Sequence, residues 1–130
     1  MSKTLLLIFN HKFTAAQKSD ATRSLGIKRI VYRPAGIVDL WSSIPPEMPE
    51  IHDYLRPVKD WLAANAIPGD YVLIQGDFGA CYILASFAIE RGFLPIYSTT
   101  RREAIEEQQT DGTVRLIHHF DHKIFRRYGV

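Results

Sequence analysis

The hydrophobic pattern divides the chain into alternating strands and helices. Unbroken apolar runs over residues 4–9 and 71–74 predict two strands that are buried on both faces, as in a parallel sheet covered by helices. A less buried strand is predicted over residues 28–33, where apolar and polar positions alternate, and a fourth over residues 93–97. Because Pro95 lacks a backbone N–H, we expect the fourth strand to be an edge strand or to contain a bulge.

Helices are predicted between these strands. Thr14 and Gln17 fit a capping box that starts a short polar helix on the surface, and Gly26 ends this helix. A loop rich in proline follows the second strand, with a short helix near residues 38–41.

Two longer helices are predicted on either side of the central strand. Apolar residues spaced i, i+3, i+4 and i+7 predict an amphipathic helix over residues 51–65. Pro57 removes one backbone hydrogen bond from it, so a bend is expected near residues 54–56. Residues 80–89 form a second helix, which is apolar on nearly every side. Either a second copy of the chain covers this helix in a two-fold dimer, or the helix is buried within one chain.

Two structures are compatible with the residues after Ser98. Thr100 and Glu103 could cap a short helix, whereas Asp111 and Gly112 are a typical hairpin turn. We favour the hairpin because residues 113–120 alternate between polar and apolar. The whole pattern predicts one α/β domain over residues 1–130, with a Rossmann-like, mainly parallel central sheet flanked by helices. Its C-terminal part, residues 101–130, is expected to be a β-hairpin with a basic and aromatic tail.

Composition and charge narrow the function classes. The 130 residues carry a formal charge of only +2, so no global field would attract duplex nucleic acid. Cys81 is the single cysteine and lies within a predicted apolar helix, which indicates a buried thiol rather than a nucleophile. The apolar run near the N-terminus is too short for a signal sequence or a membrane span. We therefore expect a cytoplasmic protein that does not bind membranes.

Candidate binding residues follow three predicted strands, at the edge where open α/β sheets bind ligands. They are Asn10, His11 and Lys12 after the first strand, Gln75, Gly76, Asp77, Phe78 and Gly79 after the central strand, and Ser98, Thr99, Thr100, Arg101 and Arg102 after the fourth. Guanidinium groups, hydroxyls and turn amides suit a phosphate. Asp77 does not, and is expected to cap the next helix or to accept a hydrogen bond from a ribose or an adenine.

Each of these features also has a purely structural explanation. The glycines could be needed only because the turn requires a positive φ angle and close packing of the helix against the strand. The arginines could be solvated surface charges. The turn fits neither the Walker A pattern nor the dinucleotide-binding pattern, so nucleoside triphosphates and dinucleotides are poor candidates.

Five stretches together resemble a known family. They are NHKFT at residues 10–14, WSSIPP at 41–46, YVLIQGDFG at 71–79, YSTTR at 97–101 and FDHKIFRRY at 120–128. In this order and spacing the chain resembles small single-domain proteins of type III CRISPR systems, whose domain is a CRISPR-associated Rossmann fold (CARF).

The resemblance implies a homodimer that binds cyclic oligoadenylate, the second messenger of type III CRISPR defence. It implies a ring nuclease that linearises this ring, with cyclic tetra-adenylate as the expected substrate, or a protein that binds the ring without cleaving it. The expected chemistry is attack by a ribose 2′-hydroxyl, which needs no metal and no cofactor and leaves a 2′,3′-cyclic phosphate.

By the same resemblance, candidate roles can be given to individual residues. Arg101, Arg102 and His11 are the expected catalytic residues, and Thr99 and Thr100 the expected hydroxyl donors. The turn over residues 76–79 would supply a backbone cradle, and His122 and Arg126 would close over the ring.

Overall fold

The described part of the chain forms one mixed sheet with helices on both faces. The computed structural model describes the backbone of residues 3–130, and their side chains except those of residues 102, 103, 105 and 117–120. In chain order the elements are β1 (Lys3–Ile8), α1 (Ala15–Leu25), β2 (Ile27–Val31), α2 (Ala35–Ser42), α3 (Arg56–Asn65), β3 (Tyr71–Ile74), α4 (Phe78–Glu90), β4 (Leu94–Gln108) and β5 (Val114–Arg127). The five strands are ordered β2-β1-β3-β4-β5. The pairs β1/β2, β1/β3 and β3/β4 are parallel, and β5 is antiparallel to β4. The predicted Rossmann-like α/β class is confirmed.

The core has two layers because successive strand residues point to opposite faces of the sheet. Leu5 and Leu7 of β1 pack on the face covered by α1. Leu6 and Ile8 pack on the opposite face, against α2, α3 and α4. All four side chains are fully buried, so the unbroken apolar run in the sequence was correctly interpreted as a central strand.

The first helix has the predicted ends. Thr14 and Gln17 exchange the two hydrogen bonds of a capping box, at 3.1 and 2.9 Å. Gly26 ends the helix with a φ of 68°, which a residue with a Cβ atom rarely adopts. The short helix predicted near residues 38–41 is also present, as α2.

The helix predicted over residues 51–65 is wrong in its first turn. Residues 52–55 form a turn in which the N–H of Leu55 donates to the C=O of Ile51 at 3.1 Å, and α3 begins at Arg56. Pro57 therefore lies in the first turn of the helix, where its missing N–H would have no intrahelical partner. No bend is needed, since the proline starts the helix instead of interrupting it.

The prediction that Pro95 marks an edge strand or a bulge is also wrong. Pro95 lies opposite Val72 of β3, and its C=O accepts a hydrogen bond at 3.0 Å from the N–H of Tyr128, just beyond the end of β5. The N and C=O of a strand residue point toward the same neighbouring strand, which for Pro95 is β5. The missing N–H of Pro95 therefore faces the side on which β5 has already ended, at Arg127. The irregularity in β4 instead lies between Ser98 and Thr100.

The C-terminal hairpin is confirmed. Thr113 N–H donates to the Asp111 carboxylate at 2.9 Å, and Gly112 has a φ of 86°. Two expectations are corrected here. Residues 98–102 do not end a strand but continue β4 into the hairpin, and residues 121–127 are the second half of β5 and not a tail. Polar residues can extend these strands because each strand pairs with the other.

Within residues 3–130, no helix is both long enough and apolar enough to cross a membrane.

Candidate functional site

The first two predicted stretches meet at the carboxyl edge of the sheet, and of the third stretch only its first residue, Ser98, contacts them there. β1 and β3 are parallel neighbours, and the N–H of Gln75 donates to the C=O of Ile8 at 3.1 Å where they end. β4 lies on the other side of β3, and the N–H of Ser98 donates to Gln75 Oε1 at 2.9 Å. The chain leaves β1 and β3 for opposite faces of the sheet, which is where open α/β sheets bind ligands. We call this region the carboxyl edge.

Gly76 is required by packing. A Cβ atom built at this residue would lie 2.7 Å from Nε1 of Trp41, and the backbone φ is 158°. The buried indole uses that nitrogen to donate to the C=O of Gln75 at 2.8 Å. The packing explanation therefore accounts fully for this glycine. Gly79 differs, because a Cβ atom there would meet only ordinary contacts at 3.5 and 3.7 Å.

Asp77 caps α4, as its residue type suggested. Its Oδ2 accepts a hydrogen bond at 3.0 Å from the N–H of Ala80. The carboxylate thus accepts the hydrogen bond of one backbone N–H in the first turn of the helix. The N–H groups of Phe78 and Gly79 remain as first-turn donors without an intrahelical acceptor. The turn therefore offers a phosphate fewer backbone N–H donors than the sequence indicated, and the negative charge of Asp77 lies beside them.

An open cavity of about 540 Å³ lies beside this turn, between α4 and the bases of β4 and β5. Its walls are mainly aromatic and apolar, and are formed by Gln75, Gly76, Phe78, Cys81, Tyr82, Ala85, Ser86, Ile89, Tyr97, Tyr128 and Gly129. Phe78 is 95% exposed and Tyr82 75%, so α4 presents large apolar side chains to solvent at the mouth. We call this the aromatic cavity.

Tyr97 and Tyr128 form the wall opposite α4. Their rings lie 5.0 Å apart in an edge-on arrangement, and the Tyr128 hydroxyl donates to the C=O of Ile74 at 2.6 Å. Arg126, one of the predicted ligand-binding residues, donates to the Tyr97 hydroxyl at 3.2 Å and so lies at the rim of the cavity. Burial raises the pKa of Tyr128 and of the Cys81 thiol, which keeps both groups protonated. The prediction of a buried cysteine is confirmed.

His122 points away from the cavity. Its Nδ1 lies 2.5 Å from Ser98 Oγ, and its Nε2 lies 2.7 Å from Oδ2 of Asp20 in α1. The side chains of His122 and Asp20 are only 5% and 7% exposed. In this structure His122 therefore does not close over the carboxyl edge, as the sequence had suggested, but joins the hairpin to α1.

Burial opposes ionisation of Asp20, but hydrogen bonds from Ser24 and His122 outweigh this effect and hold the pKa of the carboxyl below its ordinary value. Although Ser98, His122 and Asp20 resemble a hydrolase triad, Ser98 is buried and its backbone N–H is bonded to Gln75. Because Ser98 is only 7% exposed, its hydroxyl is poorly placed to meet a substrate, and the three residues have the contacts of a structural link.

Asn10, His11 and Lys12 are exposed in the loop after β1. The C=O of His11 accepts a hydrogen bond at 3.2 Å from Nη2 of Arg33, whose guanidinium also lies 4.9 Å from the centre of the Phe9 ring. Sequence analysis did not select Arg33 as a site residue. It follows β2, and a parallel pairing of β2 with β1 could have indicated that its side chain reaches this edge.

The hairpin places its polar residues further out. Arg101 is exposed and lies opposite Asp121 in the hairpin register, about 10 Å along the strand from Ser98. The Thr99 hydroxyl donates to the C=O of Ile124 at 3.1 Å, so this expected ligand donor already has an internal acceptor. Thr100 is exposed, and the side chain of Arg102 lies outside the described residues.

Comparisons with known proteins assign the family. A family model with the description "Uncharacterized protein MJ1673 family" matches residues 3–126. The chain belongs to the MJ1673 family. A member from Methanocaldococcus jannaschii, "Uncharacterized protein MJ1673", is 45% identical over 125 residues, which is 96% of either chain. No solved structure matches the chain. The matched range includes the carboxyl edge and all of the residues that line the aromatic cavity except Tyr128 and Gly129.

Proposed function

We propose that this MJ1673-family protein binds a cyclic oligoadenylate at the carboxyl edge and linearises it. The observation that carries the proposal is the aromatic cavity next to the turn at Gln75 and Gly76, with Arg126 at its rim. Aromatic side chains stack on nucleobases, and a guanidinium binds phosphate oxygens. A ligand that alternates adenine bases with phosphates fits this pairing of an aromatic wall with cations.

The same surface supports a homodimer. Phe78, Tyr82 and Ile89 are exposed on α4 beside the aromatic cavity, so the outer face of this helix is an apolar patch. Such a patch can pair with its own copy across a two-fold axis and leave the cavity to the ligand. Such a dimer would cover the exposed apolar side chains of α4 and would place two carboxyl edges around one ring-shaped ligand.

The chemistry requires an in-line arrangement of three atoms. The ribose 2′-oxygen attacks the adjacent phosphorus, a 2′,3′-cyclic phosphate forms, and the bond from phosphorus to the 5′-oxygen breaks. A proton leaves the 2′-hydroxyl, and one is delivered to the departing 5′-oxygen. His11 is exposed at the edge, where its imidazole can transfer a proton, while Arg101 can stabilise the charge on the phosphorane.

Incubation with excess labelled cyclic tetra-adenylate and a chelator tests the proposal. Linear product beyond one equivalent per dimer supports a ring nuclease. Arg101→Ala should lower turnover about a hundredfold, as loss of one charge-stabilising donor typically does. Arg115→Ala is the matched control, because Arg115 is an exposed arginine of the same hairpin near its turn. Equal rates for both variants would reject the role given to Arg101.

Binding without cleavage is the second candidate function. It is favoured by the internal hydrogen bonds of Thr99 and by the Asp77 cap, because both reduce the number of groups left to act on a phosphate. Under this function the labelled ring is retained by the protein and recovered intact after long incubation. Lack of any measurable affinity for the ring would reject both functions.

A further inference from the structure

A chain of four hydrogen-bonded groups crosses the molecule from α1 to the carboxyl edge. Oδ2 of Asp20 in α1 lies 2.7 Å from Nε2 of His122 in β5, and Nδ1 of His122 lies 2.5 Å from the side-chain Oγ of Ser98 in β4. The backbone N–H of the same Ser98 donates to Gln75 Oε1 at 2.9 Å, so the connection passes from the side chain of Ser98 to its backbone. Ser24 completes the inner end by donating to the other oxygen of Asp20 at 2.5 Å. The side chains of Asp20 and His122 are almost fully buried, so water does not compete for their hydrogen bonds.

The direction of each hydrogen bond follows from its partners. An ionised Asp20 can only accept, so Nε2 of His122 carries a hydrogen atom. In the neutral imidazole Nδ1 is then an acceptor, and the Ser98 hydroxyl donates a hydrogen bond to it. The ring of Phe125 packs against His122 with 4.5 Å between ring centres, which holds the imidazole in place. The carboxylate therefore selects one tautomer.

The outer end of the chain is the side chain of Gln75. Its Oε1 accepts from Ser98, so its NH₂ group must point in another direction. Gln75 also lines the aromatic cavity. The bond to Ser98 thus leaves the two N–H donors of the amide as the part that can bind a ligand in the cavity, and it fixes an orientation that an unrestrained glutamine would lose.

We propose that Asp20, His122 and Ser98 are positioning residues, which orient the Gln75 carboxamide so that its NH₂ group donates to an acceptor atom of the bound ligand. This inference rests on the proposed function and names one contact within it. A ring nitrogen of adenine or a phosphate oxygen would supply the acceptor. Neither Asp20 nor His122 touches the ligand, and both act through Ser98 and Gln75.

NMR on the unliganded protein tests the relay without any ligand. The ¹⁵N pattern of His122 should show a hydrogen on Nε2, the atom that faces Asp20. His122→Gln should shift or broaden the side-chain amide signals of Gln75, whereas His52→Gln, which changes a histidine 70% exposed at its side chain, should leave them unchanged. An Nε2 atom without a hydrogen, or Gln75 signals that are the same in wild type and His122→Gln, would overturn the proposal.

Binding measurements test the consequence for the ligand. Gln75→Glu keeps an acceptor for Ser98 but removes the NH₂ donors, so the affinity for cyclic tetra-adenylate should fall at least about tenfold. His122→Gln should lower affinity in the same direction, while the turnover of saturated protein changes little. Unchanged affinity in Gln75→Glu would reject the contact. If wild-type protein binds no ring, the proposed function fails, and the NMR result still decides whether the relay orients Gln75.

Discussion

Replacing Gly76 by alanine tests how tightly the carboxyl edge is packed. The new Cβ atom would lie 2.7 Å from Nε1 of the Trp41 indole, closer than real Cβ atoms approach other atoms, and 3.0 Å from Cε2 of the same ring. Because Trp41 is buried, the ring has little room to withdraw. Any shift of the ring also lengthens its hydrogen bond to the C=O of Gln75, which is 2.8 Å in the wild type.

The expected cost combines several effects. Inserting a methyl group into a well-packed region costs about 1–3 kcal/mol, and loss of one hydrogen bond costs about 1 kcal/mol more. The backbone angle at Gly76 adds strain for any residue with a Cβ atom. We therefore expect Gly76→Ala to lower the free energy of unfolding by about 3 kcal/mol. For a domain of this size that corresponds to a fall in Tm of roughly 10 °C.

Urea denaturation of three proteins measures this effect. Gly79→Ala is the matched control, since its Cβ atom meets only ordinary contacts in the first turn of α4 and alanine favours the helix. This control should equal the wild type or exceed it by about 0.5 kcal/mol. If Gly76→Ala were as stable as Gly79→Ala, the contact between Gly76 and Trp41 would not constrain the edge, and the packing explanation of this glycine would be refuted.

Three further changes test other features. Tyr128→Phe leaves the C=O of Ile74 without its donor and should cost about 1–2 kcal/mol of unfolding free energy in urea; an unchanged midpoint would contradict this. Asp20 stabilises the fold above its ordinary pKa of 3.8, and this contribution is lost as the pH falls through its lower folded-state pKa. The free energy of unfolding of Asp20→Asn, measured in urea, should therefore decrease less steeply with falling pH than that of the wild type. The same pH dependence in both proteins would contradict the assignment. Phe78→Glu should convert a dimer to a monomer in sedimentation velocity, whereas Leu116→Glu on the hairpin should not; equal masses for the two variants would reject the α4 interface.

The sequence predicted the carboxyl edge well because its signals are local. Apolar runs followed by polar turns located β1 and β3, and a parallel sheet brings the ends of such strands together. The capping box at Thr14 and the hairpin turn at Asp111 are also short-range patterns with few alternatives. The resemblance to CRISPR-associated Rossmann-fold proteins stays a prediction, which the cyclic tetra-adenylate assay decides.

The relay could not be predicted from the sequence. Asp20 lies in a short helix with a polar composition, and its partner His122 is 102 residues away. Nothing in either segment shows that they face each other until β5 is paired with β4. The length of β4 was missed for the same reason, because the polar residues after Ser98 form a strand only when a partner strand is present. Long-range pairing, and not local propensity, determines both features.

The last strand completes the interior that the earlier strands begin. Tyr128 supplies the donor for Ile74 in β3, and His122 supplies the partner of Asp20 in α1. During synthesis on the ribosome, the C=O of Ile74 and the carboxylate of Asp20 therefore have no β-hairpin partner until residues more than fifty positions later have been made. A nascent chain that lacks β5 would expose the open side of β4 and would leave Asp20 without its His122 partner, which is a state prone to aggregation. The carboxyl edge therefore forms only after residues 122–128 have been made, and chaperone dependence of a chain shortened before residue 122 would reveal that delay.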